Sequence, residues 1–446
     1  MGEGATIGTS RSSGIEGRTH RTWLSPLIEA WSFRSMMTGT NPARPVYALL
    51  VTNTLAFIAE AISLVVIPWF VLELTGSYAR MGIVGFFTVL PRVVAIFFGG
   101  QVVDRIGFRR ASILSDLLSG LSVCGIPLLY AAGHLSFTWL IVLVVIGAVF
   151  DGPGATARDS MVPELVHRGG MNLDRINAFF QGSRRLSMFI GPMVAGLLVT
   201  RIGAQNVLWL NAIVFGTSAV LTTLLIPAVT APEQSDEERG TFWTNTLFGF
   251  RYLRTQPLLL WLAGFICLTN FLDAPLATVQ LPALVNEHYG SASRLGVLLG
   301  ANGIGAVAGT VVYSAIAPRL TRRPTFLVAF GIAGLMYLSL ATIPPFWGAV
   351  SSMFLMGLIA SPLNPILMSI RQERVPLQYR ARVFSTLTAI AFISIPAGQL
   401  LGGFAVQWFG VQATMGTVAT IYLIAVALFT RAGVLREMDR PVVIAS

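Results

Sequence analysis

Apolar and polar stretches alternate along most of the chain, and each apolar stretch is about 20 residues long or longer. About 20 consecutive apolar residues in a helix cross the hydrocarbon core of a bilayer, so each stretch predicts one membrane-spanning helix. We number these stretches as spans 1 to 12: 47–73, 80–102, 111–132, 137–158, 177–199, 205–227, 257–284, 293–317, 325–343, 347–370, 383–406 and 412–430. The pattern therefore predicts an all-α membrane protein with twelve transmembrane helices.

One polar interruption, 228–256, is much longer than the other connections and divides the spans into six and six. Similar residues also recur at equivalent positions of the two halves. A shift of 213 positions takes Glu60 to Asp273 and Arg158 to Arg371. Related halves packed about an axis along the membrane normal are a transporter architecture, with the substrate near the midplane. We therefore predict two six-helix bundles with pseudo-two-fold symmetry.

The predicted domain order is a tail, a six-helix bundle, a central linker, a second six-helix bundle and a short tail. These segments are 1–46, 47–227, 228–256, 257–430 and 431–446. Within the first tail, the aromatic and aliphatic residues between Trp23 and Phe33 suit an interfacial amphipathic helix. An unstructured tail is the alternative interpretation.

Composition excludes several classes of protein. Hydrophobic residues make up 54% of the chain and charged residues only 11%, whereas soluble domains average about 25% charged. This composition is not that of an ordinary soluble enzyme, a disordered chain or a nucleic-acid binder. The net charge of +10 instead comes from arginines, whose distribution in a membrane protein signals topology.

The arginines follow the loops in an alternating pattern. Both tails, the central linker and the regions after spans 2, 4, 8 and 10 hold at least three arginines each, whereas the alternate loops hold only Arg80, Arg201 and Arg294. Loops rich in arginine stay in the cytoplasm. We therefore expect a multi-pass protein of the bacterial inner membrane with both termini in the cytoplasm.

The connection between spans 2 and 3 carries a charged motif. It reads Gly100-Gln-Val-Val-Asp104-Arg105-Ile-Gly107-Phe-Arg109-Arg110. This run resembles the signature of the major facilitator superfamily, in which it holds the cytoplasmic side shut when the protein faces outward. The resemblance implies a cytoplasmic latch at these residues, with Asp116 and Arg158 counted in the same cluster. The second-half counterpart, 318–323, lacks the aspartate, so we expect any latch there to be weaker.

Span 5 carries a second motif, formed by Gly182, Gly191, Pro192, Ala195 and Gly196. It is similar to the signature of the drug/proton antiporters of that superfamily, with Ala195 in place of one glycine. Small residues permit close helix packing, and proline within a helix removes a backbone donor. The resemblance implies an exporter.

Ionisable side chains inside a membrane are functional candidates. Glu60 lies midway along span 1, Asp273 midway along span 7, and Arg92 near the middle of span 2. Burial favours a protonated carboxyl group, whereas a nearby arginine favours the ionised form. We propose Glu60 as the principal proton carrier with Arg92 as its partner. The alternatives are a static ion pair between spans 1 and 2 for Glu60, and a second proton site or a structural bond to Asn270 for Asp273.

Several further stretches resemble the Tap-type multidrug efflux pumps and, more distantly, the Mef macrolide efflux proteins. They are Pro68-Trp69, the run from Ser115 to Gly120 and the end of span 4 from Phe150 to Glu164. As candidates for a substrate cavity we select Asn270, Phe180, Phe271, Tyr337 and Asn364.

The sequence thus predicts a monomeric secondary transporter that exports amphipathic drugs and antibiotics in exchange for protons by alternating access. Its partners are small amphipathic substrates, protons and the lipid bilayer, with no cofactor, metal or nucleic acid and no enzymatic activity. An exporter of siderophores, lysolipids or another metabolite is the alternative of the same fold. A membrane sensor without transport is the alternative of a different class.

Overall fold

The computed structural model describes residues 42–228, 242–431 and 433–439, with the side chains of 96–102, 104, 242–246 and 381 left out. Within these ranges the secondary structure is helical, with no β-strand. This confirms the predicted all-α class. The amphipathic stretch of the first tail lies outside the described residues.

The first six spans are long helices joined by short connections. Their bounds are Arg44–Thr75, Tyr78–Ile106, Phe108–Ala131, Phe137–Arg168, Leu173–Ile202 and Ala204–Leu225. Side chains of Ser77, Ser136 and Asn172 accept a hydrogen bond from the first turn of the helix that follows each of them. Single glycines, Gly107 and Gly203, connect spans 2 and 3 and spans 5 and 6, and both have φ above +80°.

The second half is less regular. Its helical segments are Pro257–Asp273, Leu276–Gln280, Leu281–Leu284 and Val285–Tyr289 for span 7, Ala292–Ile316 for span 8, Arg322–Ala341 for span 9, and Phe346–Ala360 and Leu363–Arg374 for span 10. Spans 11 and 12 are two helices within the range Arg380–Arg431, separated at Gly410, where φ is 79° and ψ is 163°. The described chain has 11 helices long and apolar enough to cross a membrane. The break at Gly410 divides the last of them, so that twelve spans result, as predicted.

Helix packing repeats between the halves. Span 2 packs against span 4, span 3 against span 6 and span 1 against span 5, while span 8 packs against span 10, span 9 against span 12 and span 7 against span 11. The helix Phe242–Thr255 lies in the predicted central linker and packs against span 11. Each half is therefore built from equivalent pairs of helices, and one hydrophobic core extends through both.

Two helix pairs make the most extensive contacts between the halves, span 2 with span 11 and span 5 with span 8. We call the end of the molecule with the connections after spans 2, 4, 8 and 10 the Arg-rich face, and the opposite end the Arg-poor face. Both pairs are closest near the Arg-poor face, where glycines let the backbones touch. A Cβ atom at Gly82 would lie 2.7 Å from the Cα atom of Gly403, and Gly196 faces Gly296 in the same way.

Hydrogen bonds reinforce this closed end. Ser77 Oγ donates to Gln407 Oε1 at 3.0 Å, and the Ser293 backbone N–H donates to Thr200 Oγ1 at 2.9 Å. Among the side chains that the structure describes, no hydrogen bond joins the two halves at the Arg-rich face. The described hydrogen bonds between the halves thus lie mainly at the Arg-poor face, with Arg185 to Thr310 farther toward the other face.

Candidate functional site

A buried ion pair lies between spans 3 and 4. Arg158 Nη1 is 3.0 Å from Asp116 Oδ1, and the two side chains are 2% and 1% exposed. The other carboxylate oxygen accepts a hydrogen bond of 2.6 Å from Ser218 Oγ in span 6. The sequence analysis assigned Asp116 and Arg158 to one cluster, and the structure brings them together in a bond that joins three helices.

A second ion pair connects spans 2 and 4. Arg92 forms a salt bridge with Asp151, and its Nε donates to Asp151 Oδ2 at 3.0 Å. Ser119 Oγ in span 3 donates to the other oxygen of Asp151 at 2.8 Å. Arg92 is thus bound to a carboxylate on span 4, so the alternative of a static ion pair between Glu60 and Arg92 is wrong, whereas the two side chains do interact electrostatically.

Glu60 itself takes part in no hydrogen bond or ion pair among the described residues. Its carboxylate interacts electrostatically with Arg92 and Asp151, and with Arg158 and Arg184. Because these groups lie on spans 2, 4 and 5, Glu60 is surrounded by charge without a fixed partner. The electrostatic energy of such a carboxylate changes strongly when the helices around it move by a small distance.

Asp273 lies where the regular helix of span 7 ends. Tyr337 Oη donates to its Oδ1 at 2.8 Å, and Tyr422 Oη donates to its Oδ2 at 2.7 Å. The two tyrosine rings stack with centroids 5.7 Å apart and are almost completely buried. Asn270 does not bind Asp273, since its amide donates to the Ala391 carbonyl at 2.7 Å. Among the described side chains, Asp273 has no cationic partner.

The motif between spans 2 and 3 is described only in part. The side chains of residues 100 and 104 lie outside the described ones, and those of Arg105 and Arg110 are exposed. Arg109 Nη2 donates to the Thr223 carbonyl of span 6 at 2.5 Å. In this conformation the described arginines of the motif make no bond to the second half, so the latch remains a prediction.

The span 5 motif forms contacts on two sides. Gly191 packs directly on Ala61 of span 1, and Gly196 packs on the backbone of Ala292 and Gly296 in span 8. Pro192 and Ala195 are buried between these contacts, whereas a Cβ atom at Gly182 would meet nothing within 4 Å. The glycine at 182 is therefore not required for packing in this conformation, but those at 191 and 196 are.

A family model described as the Major Facilitator Superfamily matches residues 49–281 and 265–443, which together span almost all of both halves. The chain belongs to the Major Facilitator Superfamily. It is therefore a multi-pass membrane transporter of small substrates and not an enzyme, as predicted.

Named relatives within the superfamily include exporters. The chain is 31% identical to "Multidrug efflux pump Tap" of Mycobacterium tuberculosis over 89% of its own length and 95% of the relative. It is 30% identical to the pump of the same name from Mycolicibacterium fortuitum, and 26% identical to "Enterobactin exporter EntS" of Escherichia coli over 84% of this chain.

Solved structures of other superfamily members share the fold. The nucleoside transporter NupG superposes with a TM-score of 0.73 at 12% identity over 87% of this chain and 98% of NupG. A D-xylose-proton symporter superposes with a TM-score of 0.67 at 13% identity over 89% of this chain and all of the symporter. At these identities the likeness concerns the fold alone.

The residues selected as cavity candidates are in different surroundings. Phe180 is only 6% exposed and packs in a cluster of spans 1, 4 and 5, so it does not line an open cavity. Tyr337 is fully buried on Asp273, and Phe271 is half-buried beside Gly398. Asn364 is exposed in span 10 and makes no side-chain hydrogen bond among the described residues.

The sequence analysis missed two arginines in span 5. Arg184 and Arg185 lie within the predicted span 177–199, and both are exposed in the superfamily fold seen here. The guanidinium of Arg184 lies over the ring of Phe57, 5.5 Å from its centroid, and Arg185 Nη1 donates to Thr310 Oγ1 of span 8 at 3.3 Å. Two consecutive charges inside an apolar span were the signal that would have identified them.

Proposed function

We propose that this transporter exports amphipathic compounds, including drugs and antibiotics, in exchange for protons, by alternating access. The similarity to pumps named for multidrug efflux, over almost the whole of both chains, supports the direction and the substrate class. The motif of span 5, packed between spans 1 and 8, is similar to the signature of drug/proton antiporters and supports the coupling.

The proposal of proton coupling rests on the surroundings of the Glu60 carboxylate. Its carboxylate lies between arginines on three other helices and is bound to none of them. When the helices rock, an approaching arginine favours release of its proton and a receding one favours uptake. Inward movement of one charge through 100 mV supplies about 2.3 kcal/mol. At about 1.4 kcal/mol per factor of ten, that energy sustains roughly a forty-fold gradient of an uncharged drug.

The arrangement of the two halves supports an orientation. If the Arg-rich face lies in the cytoplasm of a bacterial inner membrane, as the arginine pattern favours, the structure is open toward the cytoplasm. Residues 100–110 then close that face in the opposite state. We propose that the transporter works as a monomer without a cofactor.

The first experiment is drug-driven proton flux in proteoliposomes, measured with a panel of amphipathic dyes and antibiotics. Wild type and Glu60→Gln are compared, with Glu164→Gln as the control because Glu164 forms only an exposed salt bridge with Arg168. We expect flux in wild type and in the control, and drug binding without flux in Glu60→Gln. Full flux in Glu60→Gln with loss in Asp273→Asn would transfer coupling to Asp273.

A siderophore exporter is the second candidate, because a protein named as an enterobactin exporter matches 84% of this chain. Export of a catecholate siderophore from proteoliposomes, with no response to the amphipathic panel, would favour it. Net transport of no compound at all would favour a sensor.

A further inference from the structure

Charged side chains in the interior of the first half fall into two groups. Arg92 with Asp151 and Arg158 with Asp116 form ion pairs, so their charges compensate one another. Glu60, Asp159, Arg184 and Arg185 form no ion pair among the described residues. The second group thus offers two negative and two positive charges that are not bound to each other.

These four residues lie on facing helices. Arg184 interacts electrostatically with Glu60 of span 1 and Asp159 of span 4, while Arg185 reaches across to Thr310 in the other half. The exposed side chains of Asp159, Arg184 and Arg185 indicate open space around them. Because Arg185 bonds to Thr310 of span 8, its side chain lies between the halves and not toward lipid.

The closed end of the molecule begins one helical turn beyond this group. Phe189 packs against Gly303 and Met193 against Gly300, followed by the contact of Gly196 with Gly296. The unpaired charges of span 5 therefore lie next to the closed end, on the side toward the Arg-rich face.

We propose that this group binds the headgroup of a zwitterionic amphiphile, with its anionic group on Arg184 and Arg185 and its cationic group on Glu60. A guanidinium that contacts only a hydroxyl or an aromatic ring has free donors for a carboxylate or phosphate. A ligand cation on Glu60 takes the position of a proton, so binding of the ligand and of the proton exclude one another. This inference names the substrate class for the proposed export function and depends on it.

The test uses four fluorescent probes with one dansylated undecyl body and different headgroups: a carboxylate, an amine, an α-amino acid and a neutral carboxamide. Their dissociation constants are measured on the full chain in nanodiscs. We expect the amino acid probe to bind about tenfold more tightly than either singly charged probe, which corresponds to about 1.4 kcal/mol. Equal affinity for the amino acid and either singly charged probe would overturn the proposal.

Variants show which residues bind each charge of the probe. Glu60→Gln is expected to remove the affinity gained from the ammonium group. The double variant Arg184→Gln/Arg185→Gln is expected to remove the affinity gained from the carboxylate. Arg184→Lys/Arg185→Lys keeps the charge and is expected to keep most of the preference. Arg201→Gln is the control, because Arg201 lies at the Arg-poor end of the same span. Retention of the full preference in the double Gln variant would contradict the proposed site.

A lipid headgroup is another source of the same chemistry, since phosphatidylethanolamine carries both charges. Nanodiscs of phosphatidylglycerol with and without phosphatidylethanolamine distinguish the sources. Probe affinity that is independent of phosphatidylethanolamine supports an exported solute, whereas displacement of the probe by this lipid would overturn that assignment.

Proton flux driven by drugs is measured separately. Flux without a preference for the zwitterion refutes only this inference, and the preference without flux refutes the proposed coupling.

Discussion

Asp116 and Arg158 illustrate how a membrane protein keeps a charge in its interior. A buried ion pair adds little stability compared with apolar side chains, but removal of one member leaves the other uncompensated. Arg158 is especially dependent on its partner, because its Nε has no hydrogen-bond acceptor in the described structure. The remaining bond to Asp116 is thus its main compensation.

We predict that Asp116→Asn lowers the free energy of unfolding by about 3–5 kcal/mol, the usual cost of breaking a buried pair. The measurement is chemical unfolding in mixed detergent micelles. Glu164→Gln is the matched control, since its salt bridge with Arg168 is about half exposed on both sides and such pairs contribute about 0–1 kcal/mol. Equal stability of the two variants would show that Arg158 finds another partner.

At this scale the sequence identified the charged residues inside the spans but not the groups that they contact. Glu60, Asp273 and Arg92 stand out because a charge in an apolar span is costly. Their partners depend on the rotation of each helix about its axis, which the depth along a span does not determine. Arg92 is turned toward Asp151 on span 4, and Asp273 is bound by tyrosines from spans 9 and 12.

At the scale of elements, span 5 packs closely both on span 1 of its own half and on span 8 of the other half. One turn of it meets span 1 at Gly191 and the next meets span 8 at Gly196. A larger side chain at Gly196 would collide with the backbone of span 8, and one at Gly191 would collide with the Cβ atom of Ala61. Neither neighbour can move aside as the end of a flexible side chain could. The antiporter motif can therefore be understood as a packing requirement at the closed end.

We predict that Gly196→Val separates spans 5 and 8 at the Arg-poor face and abolishes transport. Ser293→Cys, in a background without Cys124 and Cys267, reports the separation, because Ser293 lies beside Thr200 in the closed end. We expect labelling by a membrane-impermeant maleimide to be several-fold faster than in the parent. Gly182→Val is the control, since its side chain enters open space; similar labelling in both variants would contradict the prediction.

The Arg-rich end of the second half shows the limit of motif arguments. Without the aspartate of the first-half motif, the sequence predicts only a weaker latch at 318–323. In the structure Arg322 binds both oxygens of Glu373, at 2.5 and 2.6 Å, and Arg374 binds Glu437 at 3.1 Å. The acids come from span 10 and from the C-terminal segment Gly433–Asp439, which are distant in sequence from the motif.

At the scale of the whole molecule, the number of spans and the class of fold could be predicted almost completely. Both depend on the length of apolar stretches, which the bilayer thickness sets. The relation between the halves could not, because the glycines that join span 2 to span 11 are separated by more than 300 residues and carry no pattern of their own.

The closed Arg-poor face leads to a prediction for the complete transport cycle. Ser77 and Gln407 belong to different halves and are hydrogen-bonded at this face, so alternating access requires them to separate in every cycle. In a background without Cys124 and Cys267, we expect a short bis-methanethiosulfonate to join Ser77→Cys to Gln407→Cys and to stop export.

The reagent forms one disulfide bond with each of the two cysteines. Reduction of these bonds is expected to restore export, since the reagent alters nothing else in the protein. Each single cysteine variant treated in the same way is the control, because one modified thiol leaves the halves free to separate. Export is measured as the fall in drug content of whole cells, with the reagent added from outside. Cross-linked protein that exports at the parental rate would show that the Arg-poor face stays closed throughout, and a rocking movement of the two halves would then be excluded.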